Sequence, residues 1–485
     1  MLTNNITGKM WTLIKNMYQG IKSRIVHDNE ISEYFMCNNG LRQGENLSPF
    51  LFSLYLNDVE DYFVMNDVIG LENLNNDVRD TLGIYFKLFI LLYADDTVLI
   101  SETEEGLQTS LNIFSEYCKT WKLKVNAEKT KVVVFSKGRQ TNYNFKYDSH
   151  DVEVVDEFLY LGVIFNRKGG FASTIKRNAQ KGLKAVYEIL KKGRLHKLSV
   201  SCQYDLYCSI VKPILLYDCE GWGTDNYECL ERVHLKFCKL LLNLKRSTPS
   251  YMVYGELGAY PLYVDVQSRI LNYWCKVAFA GDNKFSNIMY AFYKCKFTQD
   301  FSNSKWMLYV KNSLNNLGFG NMWDSNEGFT YEWFKHTIKQ RIYDQFEQKW
   351  HCNVFDSPKG HFYRIIKENF CFEKYLDILD PSDRIALCRF RTCNNRLPIE
   401  VGRWYGIERS KRKCTLCNDN EIGDEYHYLF RCSSFSVIRY QCINWRKKSL
   451  PNVLTTKFMF TSHNIVTLRK LSKFAKAIYH ALSSL

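Results

Sequence analysis

Three observations in the amino-acid sequence predict an α+β fold. In the N-terminal third, short runs rich in β-branched and aromatic residues alternate with turn-forming residues, a pattern typical of paired strands. From residue 171 onward, apolar residues recur mostly at helical spacing. Near the C-terminus, cysteine and histidine residues cluster at a spacing that suits a metal ion. We therefore expect an antiparallel sheet with helices, then a mostly helical region, then a small metal-binding module.

The composition restricts the class of protein and its partners. A chain of 485 residues is long enough for several domains with their own cores. Its 65 Lys and Arg against 51 Asp and Glu give a net charge of +14, which favours polyanionic partners. The 17 scattered cysteines are typical of reduced thiols rather than of a disulfide framework. No signal peptide or membrane span is evident, so we expect an intracellular protein of the nucleus or cytoplasm, with no membrane partner.

The first predicted elements are a helix and a hairpin. Apolar residues over 6–19 follow helical spacing, and two predicted strands, 22–27 and 31–37, are joined by a turn. A loop with Gly40 and Gly44 follows. The next predicted helix runs to about residue 63, with Ser48 as candidate N-cap and Pro49 at its first position.

Two adjacent carboxylates, Asp95 and Asp96, stand between two apolar runs. These runs predict a β-hairpin with the acids at its turn. Carboxylates at a turn between buried strands can converge on a divalent cation. A solvated Asp-Asp turn is the alternative interpretation.

The elements after this hairpin include a strongly basic helix. An amphipathic helix is predicted over 104–121, a strand over 131–135, and two short strands over 158–165 that turn near Gly162. Residues 171–200 form a helix whose basic residues fall partly on one face. Those that follow helical spacing are Arg177, Lys181, Lys184 and Lys191. This face suits a nucleic-acid backbone, and a solvated helix face is the alternative.

The cysteine and histidine cluster has the donor set of a zinc site. Its residues are Cys414, Cys417, His427 and Cys432. Zinc prefers four such ligands in a tetrahedron, and the basic residues 409–413 could also contact phosphate. Two incidental cysteine turns are the alternative, and Cys393 or Cys442 could replace one ligand.

Four segments resemble, in the same order, the sequence boxes of reverse transcriptases from non-LTR (LINE-like) retrotransposons. They are the loop and helix start at 40–52, the Tyr93-Ala94-Asp95-Asp96 box, the segment 121–131, and the primer-grip segment 158–162. The likeness to the polymerase core covers about residues 1–165 and continues more loosely to the C-terminus. There, the Cys and His cluster resembles the zinc-knuckle-like segment of several such enzymes.

The resemblance implies a role for each matching residue. Asp95 and Asp96 would hold catalytic Mg²⁺, and Lys129 would approach the triphosphate as a proton donor. Gln43, Gly44 and Tyr93 would line the nucleotide and template pocket, while Leu161 and Gly162 would form the primer grip. The implied partners are an RNA template, a DNA primer and dNTPs, with structural Zn²⁺ at the Cys and His cluster. The oligomeric state stays open.

The resemblance also implies a division of the chain. We expect a partial polymerase palm in a reverse transcriptase domain over 1–165, and a thumb and helical connection over 166–285. Then follow a helical region of unknown role over 286–400, a zinc module over 401–440, and C-terminal helices over 441–485.

The sequence departs from the family at one position. Related polymerases carry a further metal-binding Asp upstream of Gln43, but the only Asp there is Asp28, in a predicted turn. We therefore expect an N-terminally truncated polymerase that is weakly active or inactive alone. The alternative is a non-catalytic nucleic-acid-binding protein that uses the basic helix and the zinc module.

Overall fold

The structure is a computed structural model that contains two compact units, Met1–Phe158 and Leu159–Leu485. It describes residues 6–28, 30–37, 40–42, 44–68, 70–72, 87–88, 90–136, 138, 142–279, 284–298, 304–324, 330–443 and 453–483. Helices and small sheets together confirm the α+β class. Within these ranges, every helix is too short or too polar to cross a membrane. The finer division at residues 285, 400 and 440 stays a prediction.

The first unit mixes helices with short strands. Its helices are α1 (Gly8–Tyr18), α2 (Ser48–Tyr55), α3 (Val59–Met65) and α4 (Glu104–Thr120). Its strands are β1 (Lys22–Ser23), β2 (Val26–His27), β3 (Glu30–Ile31), β4 (Phe35–Met36), β5 (Leu71–Glu72), β6 (Lys87–Leu88), β7 (Ile90–Tyr93), β8 (Asp96–Leu99), β9 (Lys131–Val132), β10 (Phe145–Tyr147) and β11 (His150–Val154).

The strand pairing corrects the prediction of one antiparallel sheet. Antiparallel pairs join β1 to β4, β2 to β3, β5 to β6, β7 to β8 and β10 to β11. However, β9 lies parallel to β11, with Lys131 opposite Glu153 and Val132 opposite Val154. The chain leaves β9, runs back along β10 and returns along β11, so β9 and β11 share one direction. The described strands, each of two to five residues, form separate sheets of two or three strands.

Helix α4 holds the core of the first unit together. The Thr103 hydroxyl accepts a hydrogen bond from the Gly106 N–H at 3.0 Å and so caps the helix. On one side, the helix buries Ile113 and Tyr117 against α3, where Phe63 is fully buried. On another side, Leu111 packs with apolar residues of β9, β10 and β11. The helix predicted over 104–121 is confirmed.

The prediction for the helix after Gly44 is partly wrong. Helix α2 begins at Ser48 with Pro49 in its first turn, but Ser48 does not cap it. Its hydroxyl instead donates to the Arg42 carbonyl at 2.6 Å, which fixes the preceding loop. The predicted single helix also breaks into α2 and α3 between Tyr55 and Val59, where Leu56 ends α2 outside the helical region of φ and ψ.

The second unit is mostly helical. A hairpin pairs β12 (Glu157–Tyr160), whose first residues belong to the first unit, with β13 (Val163–Asn166). The helices are α5 (Ala172–Leu195), α6 (Val200–Leu206), α7 (Lys212–Leu215), α8 (Cys219–Trp222), α9 (Glu228–Leu241), α10 (Ser250–Leu257), α11 (Leu262–Ala278), α12 (Phe285–Thr298), α13 (Lys305–Asn316), α14 (Asn321–Asp324), α15 (Tyr331–Asp356), α16 (Tyr363–Ile366), α17 (Tyr375–Ile378), α18 (Pro381–Arg391), α19 (Pro398–Trp404), α20 (Ser436–Cys442), α21 (Val453–Phe460) and α22 (Ile465–Ser483). Five-residue π turns occupy Tyr207–Val211 and His427–Arg431.

One continuous apolar core runs through the second unit, from Ile175 in α5 to Leu482 in α22. A buried ion pair lies inside it, where the Arg391 guanidinium donates to both carboxylate oxygens of Glu256 at 2.9 and 3.0 Å. The same guanidinium lies 3.1 Å from the Glu373 carboxylate. Because charges this deep need partners, the cluster fixes the end of α18 against α10.

Candidate functional site

The Asp95 and Asp96 carboxylates lie at the end of the β7–β8 hairpin. Tyr93 pairs with Asp96, so Ala94 and Asp95 are the two residues of the loop. Ala94 has a φ of 53°, a left-handed conformation that non-glycine residues rarely adopt and that a two-residue hairpin loop requires. The predicted hairpin is confirmed, with the difference that Asp96 already belongs to the second strand.

The hairpin is fixed on one side and open on the other. Ile90 and Leu99, which pair at the end of the hairpin opposite the loop, pack against the core formed by α3 and α4. Asp95 and Asp96 are exposed, and Tyr93 is 63% exposed. The loop therefore presents both carboxylates to solvent, where a cation and a phosphate could reach them.

Among the described residues, the Asp95 and Asp96 carboxylates do not belong to a larger cluster of potential metal ligands. The groups of three or more potential metal ligands in that part of the chain do not include Asp95 or Asp96. Asp58 is engaged elsewhere, since its carboxylate accepts a hydrogen bond from the Tyr117 hydroxyl at 2.7 Å.

The loop before α2 is tied to α1. Gln43 lies outside the described residues, while Gly44 is exposed with a φ of 88°, which favours glycine. The Arg42 guanidinium donates to the Met17 carbonyl at 2.8 Å and to the Glu45 carboxylate at 2.7 Å. These bonds hold the backbone on either side of Gly44.

Lys129 lies in a turn between α4 and β9. Its backbone N–H donates to the Asn126 carbonyl at 3.2 Å, while its side chain is exposed. The ammonium group is therefore free to approach an anion.

Two side chains that were not predicted for this role, Tyr217 and Arg177, fix the turn of the β12–β13 hairpin. Leu161 and Gly162 form the turn, with φ values of 46° and 86°. Positive φ at both central residues is typical of a type I′ turn, which matches the twist of its strands. The Tyr217 hydroxyl donates to the Leu161 carbonyl at 2.7 Å, and the Arg177 guanidinium donates to the Gly162 carbonyl at 3.2 Å.

The basic helix is confirmed as α5, but its basic residues divide into two groups. Arg177 is half-buried and bonded to the Gly162 carbonyl, so it fixes a turn and does not offer a free cation. Lys181, Lys184 and Lys191 are exposed. These three ammonium groups remain available to a polyanion.

The structure brings the four predicted zinc ligands together. One ligand atom from each of Cys414, Cys417, His427 and Cys432 lies within 4.8 Å of all the others. The Cys414 and Cys432 Sγ atoms are 3.9 Å apart, and the Cys417 Sγ is 3.3 Å from the His427 Nε2. A π turn over His427–Arg431 supplies the bend that the five-residue spacing of the second ligand pair required. Cys442 belongs to no such group within the described chain, and Cys393 belongs to a different one.

Two further residues, Glu421 and Tyr428, favour the binding of a cation by this cluster. The Glu421 carboxylate lies 3.0 Å from the His427 Nδ1, which leaves the Nε2 facing the thiols, and it also accepts from the Arg431 guanidinium at 3.0 Å. Burial alone would raise the pKa of the Cys414 thiol, but hydrogen bonds shared with the Tyr428 hydroxyl, nearby backbone N–H groups and Cys417 lower it to about 7. The donor set and its surroundings therefore fit a zinc ion.

Comparison with known families identifies the first unit. Residues 2–165 match the family model described as reverse transcriptase (RNA-dependent DNA polymerase). This range contains the Asp95 and Asp96 loop and ends within β13. The first third of the chain is therefore a reverse transcriptase domain, as the order of the four sequence boxes predicted.

Similar individual proteins show which type of reverse transcriptase domain this is. The chain is 26% identical over 223 residues to the RNA-directed DNA polymerase from mobile element jockey of Drosophila melanogaster, a match that covers 44% of this chain and 22% of that protein. A probable RNA-directed DNA polymerase from transposon X-element of the same organism is 24% identical, with the same coverage. The Pol polyprotein of the Drosophila melanogaster element R2DM is 28% identical over 32% of this chain and 14% of its own length. The domain is a reverse transcriptase domain of the non-LTR retrotransposon type, and the chain matches less than a quarter of the length of each of these three relatives.

Proposed function

We propose that the chain acts in RNA-directed DNA synthesis for a non-LTR retrotransposon, on an RNA template and a DNA primer with dNTPs. The observation that carries this proposal is the two-residue loop that presents Asp95 and Asp96 inside the matched domain. Asp95 and Asp96 would hold Mg²⁺, which supplies charge stabilisation for phosphoryl transfer. Gln43, Gly44 and Tyr93 would position the nucleotide and template, and Lys129 would approach the triphosphate.

The turn at Leu161 and Gly162 would support the primer. Tyr217 and Arg177 occupy both turn carbonyls, so the backbone there is fixed before any nucleic acid binds. A fixed turn costs less entropy on binding than a mobile loop. Its residues would thus orient the primer end without rearranging.

We expect this chain alone to extend primers weakly. Losing a principal ligand of the metal that activates the primer 3′ oxygen costs several kcal/mol of transition-state stabilisation, and about 1.4 kcal/mol is tenfold in rate. If the Asp95 and Asp96 loop works with two carboxylates in place of three, the rate of extension should be lower by about 10³-fold or more.

Extension of a primed RNA template by purified chain, beside an Asp95→Ala variant, tests the proposal. Weak, Mg²⁺-dependent extension that the variant loses would support it. Extension equal in the two proteins would contradict it. Robust extension lost only in the variant would mean that a further carboxylate completes the site, and would overturn the expectation of weak activity.

We also propose that Cys414, Cys417, His427 and Cys432 hold a structural zinc ion. Their ligand atoms are already grouped, and three of the four side chains are buried. Cys414→Ser should remove this ion from protein prepared under reducing conditions, whereas Cys442→Ser should retain it. Equal zinc contents in the two variants would contradict this assignment.

A second candidate function, non-catalytic binding of nucleic acid, is favoured by the exposed lysines of α5. Nucleic-acid binding and RNA-directed DNA synthesis would both use the basic helix and the zinc module. Only DNA synthesis needs a metal ion at Asp95 and Asp96. Salt-sensitive binding with no Asp95-dependent chemistry would favour it over the polymerase.

A further inference from the structure

A second group of potential metal ligands lies near the Cys and His cluster and shares no residue with it. One ligand atom from each of Cys393, Glu400 and Glu425 lies within 4.8 Å of the other two. All three side chains are buried, with exposed fractions of 2%, 2% and 8%. The reverse transcriptase domain ends more than 200 residues earlier, at residue 165, so this group is independent of the polymerase proposal.

The Glu400 carboxylate makes this group unusual. Neither of its oxygens has a hydrogen-bond partner, although both are buried. A buried carboxylate without a hydrogen bond or an ion pair is costly, since the interior does not replace the water that it has lost. No described Lys, Arg or His lies within ion-pair distance of it, whereas the buried Glu256 is fully paired with Arg391.

From this juxtaposition we propose that Cys393, Glu400 and Glu425 bind a second zinc ion. Zinc accepts a thiolate and carboxylates as ligands, and sites with three protein ligands complete the tetrahedron with water. The ion would give the Glu400 oxygens the partner that they lack. The Glu425 carboxylate repels that of Glu400, while Lys359, Arg403 and Lys245 attract it, so a divalent cation between the two carboxylates would remove the repulsion.

The three ligands come from three separate segments of the chain. Cys393 follows α18, Glu400 lies in the first turn of α19, and Glu425 lies two residues before His427, the first residue of the π turn. A backbone bond from the Ile399 N–H to the Gly423 carbonyl, at 3.1 Å, already joins two of these segments. The second ion would therefore fasten the Cys and His module to α18 and α19.

The test is the zinc content of the full chain, purified under reducing conditions and measured by native mass spectrometry. We expect two zinc ions in the wild type and one in Cys393→Ser. Cys388→Ser is the matched control, because Cys388 is equally buried on α18 but belongs to neither ligand group, and it should retain two. Cys414→Ser should also retain one, so loss of the other site is separately visible.

Glu400→Gln keeps the test decisive if Cys393→Ser fails to fold. This substitution preserves shape and removes the charge, so under the proposal it weakens binding of the second zinc and lowers the melting temperature in added Zn²⁺. If the two carboxyl groups merely share a proton, Glu400→Gln leaves the zinc content unchanged and the melting temperature equal or higher. That result, or a single zinc in the wild type that Cys414→Ser abolishes, would overturn the proposal.

Discussion

Glu421 is the residue whose role in the Cys and His cluster is most specific. It fixes the His427 ring through the Nδ1 atom without being a ligand itself. Glu421→Gln should lower the zinc affinity of the cluster by about 10- to 100-fold, because the ring loses its orienting carboxylate. Competition with a coloured chelator measures this change.

Glu408→Gln is the control for that experiment. Glu408 is exposed and pairs with Lys411, three residues along the chain, and no described ion pair joins it to a ligand of the cluster. Its substitution should leave the affinity unchanged. Equal losses in both variants would mean that charge near the module, and not orientation of His427, controls binding.

Among elements, the β12–β13 turn depends on Gly162. A Cβ there would lie 2.9 Å from the Tyr217 Cε1, and the φ of 86° strains any other residue. Gly162→Ala should therefore destabilise the hairpin by about 1 to 3 kcal/mol. Hydrogen exchange of the amides in β12 and β13 reports this local opening.

Gly169→Ala is the control that distinguishes backbone strain from the contact with Tyr217. Gly169 also has a positive φ, 75°, but an added Cβ would meet nothing within 4 Å. The Gly169→Ala substitution should add only backbone strain. Hydrogen exchange of the β12 and β13 amides should therefore accelerate less than in Gly162→Ala. Identical exchange in the two variants would show that Tyr217 does not hold the turn.

Helix α5 makes a second prediction at this scale. If its exposed lysines contact phosphates, the double change Lys181→Gln and Lys184→Gln should reduce the dependence of log Kd on log salt by about 1.4 to 1.8, since each contact contributes about 0.7 to 0.9. Fluorescence anisotropy of a labelled RNA–DNA duplex at several salt concentrations measures the slope.

The control is a double variant that removes the same two positive charges from a different helix, α13. Lys305 and Lys311 are exposed on α13, so their double change to Gln alters the net charge equally. The salt slope should then stay within error of the wild type. A similar reduction in both double variants would point to non-specific attraction by the whole chain.

On the scale of the whole molecule, the zinc ions should stabilise one part of the chain selectively. Chelation should accelerate hydrogen exchange over residues 410–435, because a small module depends on its metal for folding. The first unit contains neither ligand group and should be unaffected. Exchange that accelerates throughout the chain, or nowhere, would contradict this selective role.

Much of the site could be predicted because its signals are local. Asp95 and Asp96 follow one another, and the cluster from Cys414 to Cys432 occupies 19 residues with a recognisable spacing. The Tyr217 clamp and the Glu400 group could not be predicted in this way, because their partners meet only through tertiary packing. Similarly, the parallel pairing of β9 depends on the β10–β11 hairpin, which was not among the predicted elements.

Metal-directed cleavage tests most directly whether the Asp95 and Asp96 loop is the metal site of this reverse transcriptase domain. Fe²⁺ with ascorbate and peroxide cuts the backbone beside a bound ion, and a primed RNA template with dNTP should favour binding by adding phosphate ligands. We predict cleavage next to Asp95 and Asp96 that dNTP enhances, that excess Mg²⁺ suppresses and that Asp95→Asn with Asp96→Asn abolishes. Cleavage that is absent at this loop, or unchanged in the double variant, would contradict the central claim.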